Sequence, residues 1–233
     1  MFLIKNAHVY SPENLGVRDV LVVNDRIAAV APSLTVALPG LETIDAKGLI
    51  LTPGLIDPHI HVTGGGGESG PASRVPEVMF SKLVACGTTG VIGVIDITTN
   101  GFCFSNFPAL VKQAIEEKAD LGRMTLSTDG NGNIPKYDET GTMRGFTTGS
   151  PASNLNALRG MVEKGGFPLE TVLPFSTANI ANNFTLPGKG FVKTGCDADL
   201  CLFTEELYPV HVMAKGKFLM KDKEIVVKGQ YED

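Results

Sequence analysis

Two histidines one residue apart, His59 and His61, are the residues whose types and spacing most directly indicate chemistry. They lie in the stretch GLIDPHIHVTGGGGESGP, at positions 54–71. Residues 55–61 read as a buried strand, and side chains at positions i and i+2 of a strand share one face. Both imidazoles can therefore bind a single divalent ion. Zinc is the natural candidate, because imidazole suits it and catalytic zinc sites keep one coordination position open.

A second stretch, LSTDGNGN at residues 126–133, places Asp129 at the end of the predicted strand RMTLSTD. The carboxyl ends of the strands form the active-site face of a parallel α/β sheet or barrel. We therefore expect Asp129 to face the same cleft as His59 and His61, to bind the ion and to accept a proton from its water. An ordinary Asp-Gly turn explains the same letters, so both interpretations stay open.

The residues around these two stretches alternate predicted strands and helices. Strand patterns cover 55–61, 90–98 and 123–129, and amphipathic helix patterns cover 76–87, 108–120, 154–164 and 169–182. The first helix pattern stops at Gly87, a common residue at helix C-termini. This order predicts βα architecture around a parallel sheet.

Both ends of the chain have a sequence pattern that differs from that of the middle. Short segments there alternate apolar and polar residues and are separated by turns. These segments cover 2–9, 17–23, 26–30 and 46–51, and the pattern returns from Asp199 onward. We predict one small β-sandwich domain formed by both chain ends. The predicted boundaries are 1–52 and 188–233 for its two parts and 53–187 for the βα domain with the metal site.

Composition excludes several classes of partner. The 233 residues are 43% hydrophobic, which is ample for a buried core. With 19% charged residues and a net charge of -5, no broad basic surface for nucleic acid or anionic lipid is expected. The sequence has neither a signal-peptide h-region nor the roughly 20 apolar residues of a membrane span. We expect a small-molecule partner and a cytoplasmic location.

The remaining residues able to bind metal are predicted to be structural. The four cysteines have no C-x-x-C spacing and lie in apolar surroundings, which predicts buried reduced thiols at Cys86, Cys103, Cys196 and Cys201. The other two histidines, His8 and His211, lie in the terminal β segments. We predict that neither is a metal ligand.

The two quoted stretches resemble the isoaspartyl dipeptidase (β-aspartyl peptidase) branch of the amidohydrolase superfamily. VYSPENLGVRDVLVVNDRIAAVA near the N-terminus and GCDADLCLFTEEL near the C-terminus extend the resemblance over nearly the whole chain. The resemblance implies an α/β fold with a metal-dependent (β/α)8 barrel and a β-sandwich, and cleavage of the β-peptide bond of isoaspartyl dipeptides. It implies that His59 and His61 are metal ligands and that Asp129 is a ligand and general acid/base. It also implies that Glu68 binds the substrate's free α-amino group, with Gly66 near the same place.

The chain departs from this family in its middle. Residues 53–187 are only about half of the roughly 250 residues of a complete barrel, so we expect an incomplete barrel, with the break near Val94–Ile95. The family's carbamylated lysine and two further histidine ligands have no counterpart. We therefore expect at most one zinc ion instead of the two of intact members. Asn133 stands where the family has a substrate-binding serine.

Three functions stay open. The first is a zinc-dependent dipeptidase, a metalloprotease whose activity is reduced by the missing ligands. The second is a non-catalytic remnant, either a pseudoenzyme or an interaction module. The third is another amidohydrolase, such as a dihydroorotase or hydantoinase. An unclosed barrel also exposes sheet edges and apolar faces, which favour self-association into a homo-oligomer.

Overall fold

The computed structural model of the protein describes residues 1–66, 74–93, 107–230 and 232. Its N-terminal residues form five strands. The strands are β1 (Phe2–Tyr10), β2 (Asn14–Val23), β3 (Arg26–Ala31), β4 (Glu42–Asp45) and β5 (Ile50–Pro53). β1 pairs antiparallel with β2, and β2 pairs antiparallel with β3. The predicted turn between β2 and β3 is present, and Asn24 in it has a φ of 54°, a conformation that Asn tolerates better than most residues.

The middle of the chain alternates short strands and helices. The strands are β6 (Leu55–Ile60), β7 (Gly65–Gly66), β8 (Arg74–Val75), β9 (Thr88–Gly93), β10 (Asn133–Tyr137) and β11 (Met143–Thr148). The α-helices are α1 (Phe80–Ala85), α2 (Phe107–Glu116), α3 (Ser153–Glu163), α4 (Leu169–Val172) and α5 (Ala178–Asn183), and 3-10 helices occupy Leu121–Arg123 and Leu173–Ser176. β6 and β9 are parallel with α1 between them, as a βα unit requires.

The C-terminal residues return to the sheet of the N-terminal strands. They form β12 (Leu200–Phe203), β13 (Pro209–Ala214), β14 (Lys217–Lys221) and β15 (Glu224–Ile225). β12 pairs antiparallel with β5, which joins both chain ends in one nine-stranded mixed sheet of order β15-β14-β13-β12-β5-β1-β2-β3, with β4 on β1. The prediction that both ends build one β structure is confirmed at this level. The sandwich arrangement and the three domain boundaries stay predictions.

Two groups of buried apolar side chains hold these elements together. One lies between the sheet and the helices and includes Leu158 and Met161 of α3, Phe175, and Phe203 of β12. The other is formed by strands from both chain ends and includes Ile4, Leu51 and Leu200. Burying a side chain of this size contributes about 1.5–3 kcal/mol, so the two halves of the sheet stabilise each other.

Two local predictions were wrong, and one hairpin was missed. Residues 123–129 form no strand, since they hydrogen-bond to neighbours only at scattered positions, such as Leu126 N–H to the carbonyl of Phe175. The helix predicted at 169–182 is divided into α4, a 3-10 helix and α5, because Pro174 has no N–H to donate. The hairpin of β10 and β11 was not predicted, although Asp138 and Gly141 form its turn.

Other predictions fall partly outside the described residues. The strand expected at 90–98 is described as far as Gly93, and the expected break at Val94–Ile95 lies outside the described residues. In the described ranges, β6 and β9 are the only parallel pair outside the large sheet, so the incomplete (β/α)8 barrel stays a prediction. Cys86 and Cys201 are free and buried and Cys196 is free and half-buried, whereas Cys103 lies outside the described residues.

Within the described part of the chain, every helix is too short or too polar to cross a bilayer.

Candidate metal centre

Strand β6 brings two imidazoles to one side of the site, as the spacing predicts. His59 is on β6 and His61 follows directly after its last residue. Their ring centroids are 5.5 Å apart at an angle of 72°. The His61 side chain is completely buried, whereas that of His59 is 49% exposed. One imidazole is therefore held by the core and the other faces solvent.

Backbone hydrogen bonds set the position of Asp129 relative to these histidines. The Asp129 N–H donates to the His59 carbonyl at 3.1 Å, and the His61 N–H donates to the Gly130 carbonyl at 2.9 Å. Ile60 and Gly130 form a parallel bridge between the two bonds. Asp129 itself has a φ of 48°, a left-handed conformation that costs of order 1–3 kcal/mol for a non-glycine residue. Such backbone strain is common at functional sites.

The three side chains converge on one point. Asp129 Oδ1 lies 3.1 Å from His61 Nε2 and 3.4 Å from His59 Nε2. One ligand atom from each residue lies within 4.8 Å of the others. Because a four-coordinate zinc site separates its ligand atoms by only a few ångströms, this spacing suits one ion.

Among the residues that the structure describes, two buried polar atoms at this site have no hydrogen-bond partner, namely His61 Nδ1 and Asp129 Oδ2. Buried polar atoms nearly always have a partner, and a bound ion or water often supplies it where the protein does not. The donor set of two imidazoles and one carboxylate also matches the ligand chemistry of zinc. The residues present therefore fit a divalent metal ion.

Sequence reasoning missed Asp57, a buried aspartate on β6 that is 1% exposed. Its Oδ1 accepts the N–H of His59 at 3.1 Å and that of Thr128 at 3.2 Å, and its Oδ2 accepts the Thr128 hydroxyl. Burial raises the pKa of the Asp57 carboxyl, although these hydrogen bonds oppose the shift. The sequence does hold a signal for this residue, because Asp57 is a charged residue at the end of the otherwise apolar run GLID.

The glycine stretch after His61 lies against the site. β7 pairs antiparallel with β8, and this pairing places Gly66 opposite Arg74. At Gly64, with a φ of 78°, a Cβ would lie 2.1 Å from the Val75 carbonyl oxygen, so only glycine fits this close approach. A Cβ on Gly65 would lie 3.5 Å from His61 Nδ1. The loop that contains Gly66 therefore begins beside the buried imidazole.

Of the other two predicted substrate-binding residues, the structure describes Asn133 but not Glu68. Glu68 lies outside the described residues. Asn133 begins β10 four residues after Asp129, and it is 5% exposed. The structure brings the three candidate ligands together, while Gly66 lies on β7 and Asn133 on β10. The substrate-binding roles stay predictions.

The histidines predicted to be non-ligands have other contacts. His8 Nε2 lies 2.7 Å from Asn14 Oδ1, and His211 Nδ1 accepts the Asp222 N–H at 3.2 Å. Among the described residues, neither histidine belongs to a cluster of metal-binding side chains.

Comparisons with known proteins match one segment to a family model and relate the whole chain to enzymes with different names. Residues 42–90 match the family model described as "Amidohydrolase family". The fold resembles beta-aspartyl dipeptidase from Fervidobacterium islandicum AW-1, solved in complex with beta-Asp-Leu, with a TM-score of 0.85 and 24% identity over 99% of this chain and 98% of that one. At this identity the likeness shows the fold alone.

Two curated dihydroorotases resemble the chain in sequence. That of Desulforapulum autotrophicum is 27% identical over 173 residues, which are 68% of this chain, and that of Lactococcus lactis is 27% identical over 174 residues, which are 70%. The chain spans only 38% and 39% of the length of these two enzymes. One segment of the chain thus matches an amidohydrolase family model, and the α/β fold is similar to that of a beta-aspartyl dipeptidase.

Proposed function

We propose that this protein is a zinc-dependent hydrolase of amide bonds, with one ion held by His59, His61 and Asp129. The observation that carries the proposal is the approach of two imidazole Nε2 atoms to one carboxylate oxygen, at 3.4 Å and 3.1 Å. Two imidazoles and a carboxylate form a ligand set of catalytic zinc sites, which leave one position for water or substrate. Three ligands suit a single ion.

The chain's own residues supply binding and proton transfer. A bound zinc ion supplies Lewis-acid activation of water and of the substrate carbonyl. Asp129 Oδ2, which has no hydrogen-bond partner in the described ranges, is the atom we assign to accept a proton from the attacking water and to return it to the leaving amine. Because His61 is buried and His59 is 49% exposed, substrate approaches from the side of His59.

The substrate we propose is a dipeptide with a β-aspartyl (isoaspartyl) bond. The fold likeness to a beta-aspartyl dipeptidase supports this choice, as does the resemblance carried by the glycine stretch and Glu68. A carboxylate at position 68 suits the free α-ammonium group of such a substrate, because charge-assisted hydrogen bonds are strong. Gly66 and Asn133 are assigned to the same substrate pocket.

Two other functions each have a specific observation in their favour. The sequence matches to dihydroorotases favour hydrolysis of a cyclic amide. Within the described residues, His59, His61 and Asp129 form the one cluster of three metal-binding side chains, which provides ligands for a single ion and favours a non-catalytic remnant or interaction module. We expect β-aspartyl hydrolysis that depends on zinc and is much slower than in intact dipeptidases. Cytoplasmic location and self-association stay predictions from the sequence.

The test combines metal analysis with two substrates. The purified protein is loaded with zinc, its metal content is measured, and release of leucine from β-Asp-Leu is compared with hydrolysis of dihydroorotate. We expect about one zinc per chain and leucine release that Asp129→Asn abolishes. Asp138→Asn is the matched control, since this half-buried aspartate lies in the turn of the β10–β11 hairpin and should leave the rate unchanged.

Each outcome separates the candidates. Turnover of dihydroorotate alone would replace the proposed substrate with a cyclic amide. Zinc binding without turnover of either compound would favour the pseudoenzyme. Protein that retains no zinc would contradict the metal centre itself.

A further inference from the structure

A buried carboxylate joins the strand of the histidines to the segment of Asp129. Asp57 and Thr128 are 71 residues apart in sequence, and both are buried, at 1% and 4% exposure. Thr128 donates both its backbone N–H, at 3.2 Å, and its hydroxyl to the Asp57 carboxylate. The same carboxylate accepts the His59 N–H at 3.1 Å. One side chain thus contacts a residue next to Asp129 and one of the candidate ligands.

Thr128 extends this contact to the other side of Asp129. Its Oγ1 accepts the Gly130 N–H at 2.8 Å while its hydroxyl hydrogen is donated to Asp57. The residues before and after Asp129 are therefore both held through one hydroxyl group. Asp129 has the left-handed φ of 48°, which a non-glycine residue keeps only where its surroundings enforce it.

We propose that Asp57 and Thr128 are positioning residues of the metal centre, which hold Asp129 at the distance from His59 and His61 that binding one divalent ion requires. The pair contacts no candidate ligand side chain and acts through the backbone of His59 and Gly130. Residues that orient metal ligands in this way typically change metal affinity by about 10–100-fold when they are mutated. This inference rests on the proposed metal centre.

The chemistry of the pair makes it sensitive to small changes. An ionised carboxylate only accepts hydrogen bonds, so the Thr128 hydroxyl must donate to Asp57 and remains able to accept from Gly130. Thr128→Val removes the hydroxyl at nearly constant shape, and Thr128→Ser restores it. Asp57→Asn keeps one acceptor oxygen for the two N–H groups but presents an NH₂ group to the hydroxyl.

Metal affinity of the full chain is the measurement. Titration of the metal-free protein with Zn²⁺ against a chromophoric chelator gives the dissociation constant, and the visible spectrum of the Co²⁺-loaded protein reports ligand geometry. We expect Thr128→Val to weaken Zn²⁺ binding about 10–100-fold, Asp57→Asn to weaken it in the same direction, and Thr128→Ser to stay within about threefold of wild type. The Co²⁺ spectrum should change in the first two variants.

Asp19→Asn is the matched control for loss of stability. Asp19 is 2% exposed and accepts two backbone N–H groups from separate segments, those of Asn6 at 3.0 Å and Leu34 at 2.8 Å. It lies on β2 in the large sheet. The substitution should lower the free energy of unfolding and leave the Zn²⁺ dissociation constant unchanged. A purely structural role for Asp57 and Thr128 would give their variants the same result.

The outcomes separate this inference from the function proposed above. Wild-type protein that binds Zn²⁺ tightly while folded Thr128→Val and Asp57→Asn bind it equally well would overturn the positioning role and leave the metal centre standing. Wild-type protein that binds neither ion would overturn both.

Discussion

Replacing Gly132 with alanine should move the Asp129 carboxylate away from the two imidazoles. An alanine Cβ at this position would lie 2.4 Å from Asp129 Oδ1 and 2.8 Å from its Cγ. The backbone of Gly132 is held at both ends, because its N–H donates to the Asp129 carbonyl at 2.9 Å and its carbonyl accepts the Gly149 N–H at 3.0 Å. The Asp129 side chain is therefore the part that must shift.

The size of the shift follows from ordinary contact distances. Unstrained contacts of a Cβ begin at 3.4 Å, so Oδ1 must move by about 1 Å from its 2.4 Å separation. Oδ1 is also the atom that lies 3.1 Å from His61 Nε2 and 3.4 Å from His59 Nε2. Displacement of one ligand of three should weaken zinc binding at least as much as loss of an orienting residue, about 10–100-fold. That change corresponds to about 1.4–2.7 kcal/mol.

Gly160→Ala provides the matched control for this glycine substitution. Gly160 lies within α3, and an added Cβ there meets no atom within 4 Å. Alanine is favoured over glycine inside a helix by about 0.5–1 kcal/mol, so thermal unfolding should shift upward. Zinc affinity, measured by competition with a chromophoric chelator, should equal that of wild type.

A Gly132→Ala variant that folds with wild-type stability and binds zinc with an unchanged dissociation constant would refute the predicted displacement of Asp129. Asp129 Oδ1 would then not be part of the ligand set, or the carboxylate would reach the ion through Oδ2. A loss of zinc affinity in both glycine variants would also contradict it, since Gly160 has no contact with the site.

Further expectations concern the ligands, the hairpin and the core. His61→Ala should lower zinc affinity by more than about 100-fold whereas His8→Ala leaves it unchanged, as metal analysis after dialysis would show; equal losses would contradict the ligand assignment. A hydrogen bond from the Thr140 hydroxyl is the largest cause that lowers the pKa of Asp138 to about 2 from 3.8. Because the folded pKa is the lower one, the carboxylate supports the hairpin above pH 3.8, and this support is lost as pH falls towards about 2, which amide NMR shifts would follow. Asp138→Asn should remove that transition. Phe175→Ala should cost about 3–5 kcal/mol in urea unfolding, because Phe175 is 2% exposed; similar values for exposed Phe184→Ala would refute the core assignment.

Periodicity along the sequence identified the elements whose partners are local or whose residues are uniformly apolar. The helix predicted at 154–164 is α3 at Ser153–Glu163, because its buried residues recur at helical spacing. The strand predicted at 55–61 is β6, which brings His59 and His61 to one side by its two-residue repeat. The pairing of both chain ends in one sheet was also predictable from their shared alternation.

Local pattern failed where contacts distant in sequence decide the conformation. Residues 123–129 have strand-like composition, yet they form no ladder with β6, and the isolated bridge to Ile60 is made by the next residue, Gly130. The segment at 169–182 has continuous helical periodicity, but Pro174 interrupts its hydrogen bonds. The role of Asp57 was not predicted, because it depends on hydrogen bonds from Thr128, which is 71 residues away in sequence.

The sequence by itself determined that the two imidazoles lie on one side, since positions i and i+2 of a strand share a face through covalent geometry alone. It also determined that Asp129 begins a turn. Only the tertiary structure decided that this turn lies against the strand of the histidines, because hydrogen bonds between segments about 70 residues apart set that register. Such pairings depend on how the whole chain packs, and no local repeat in the sequence encodes them.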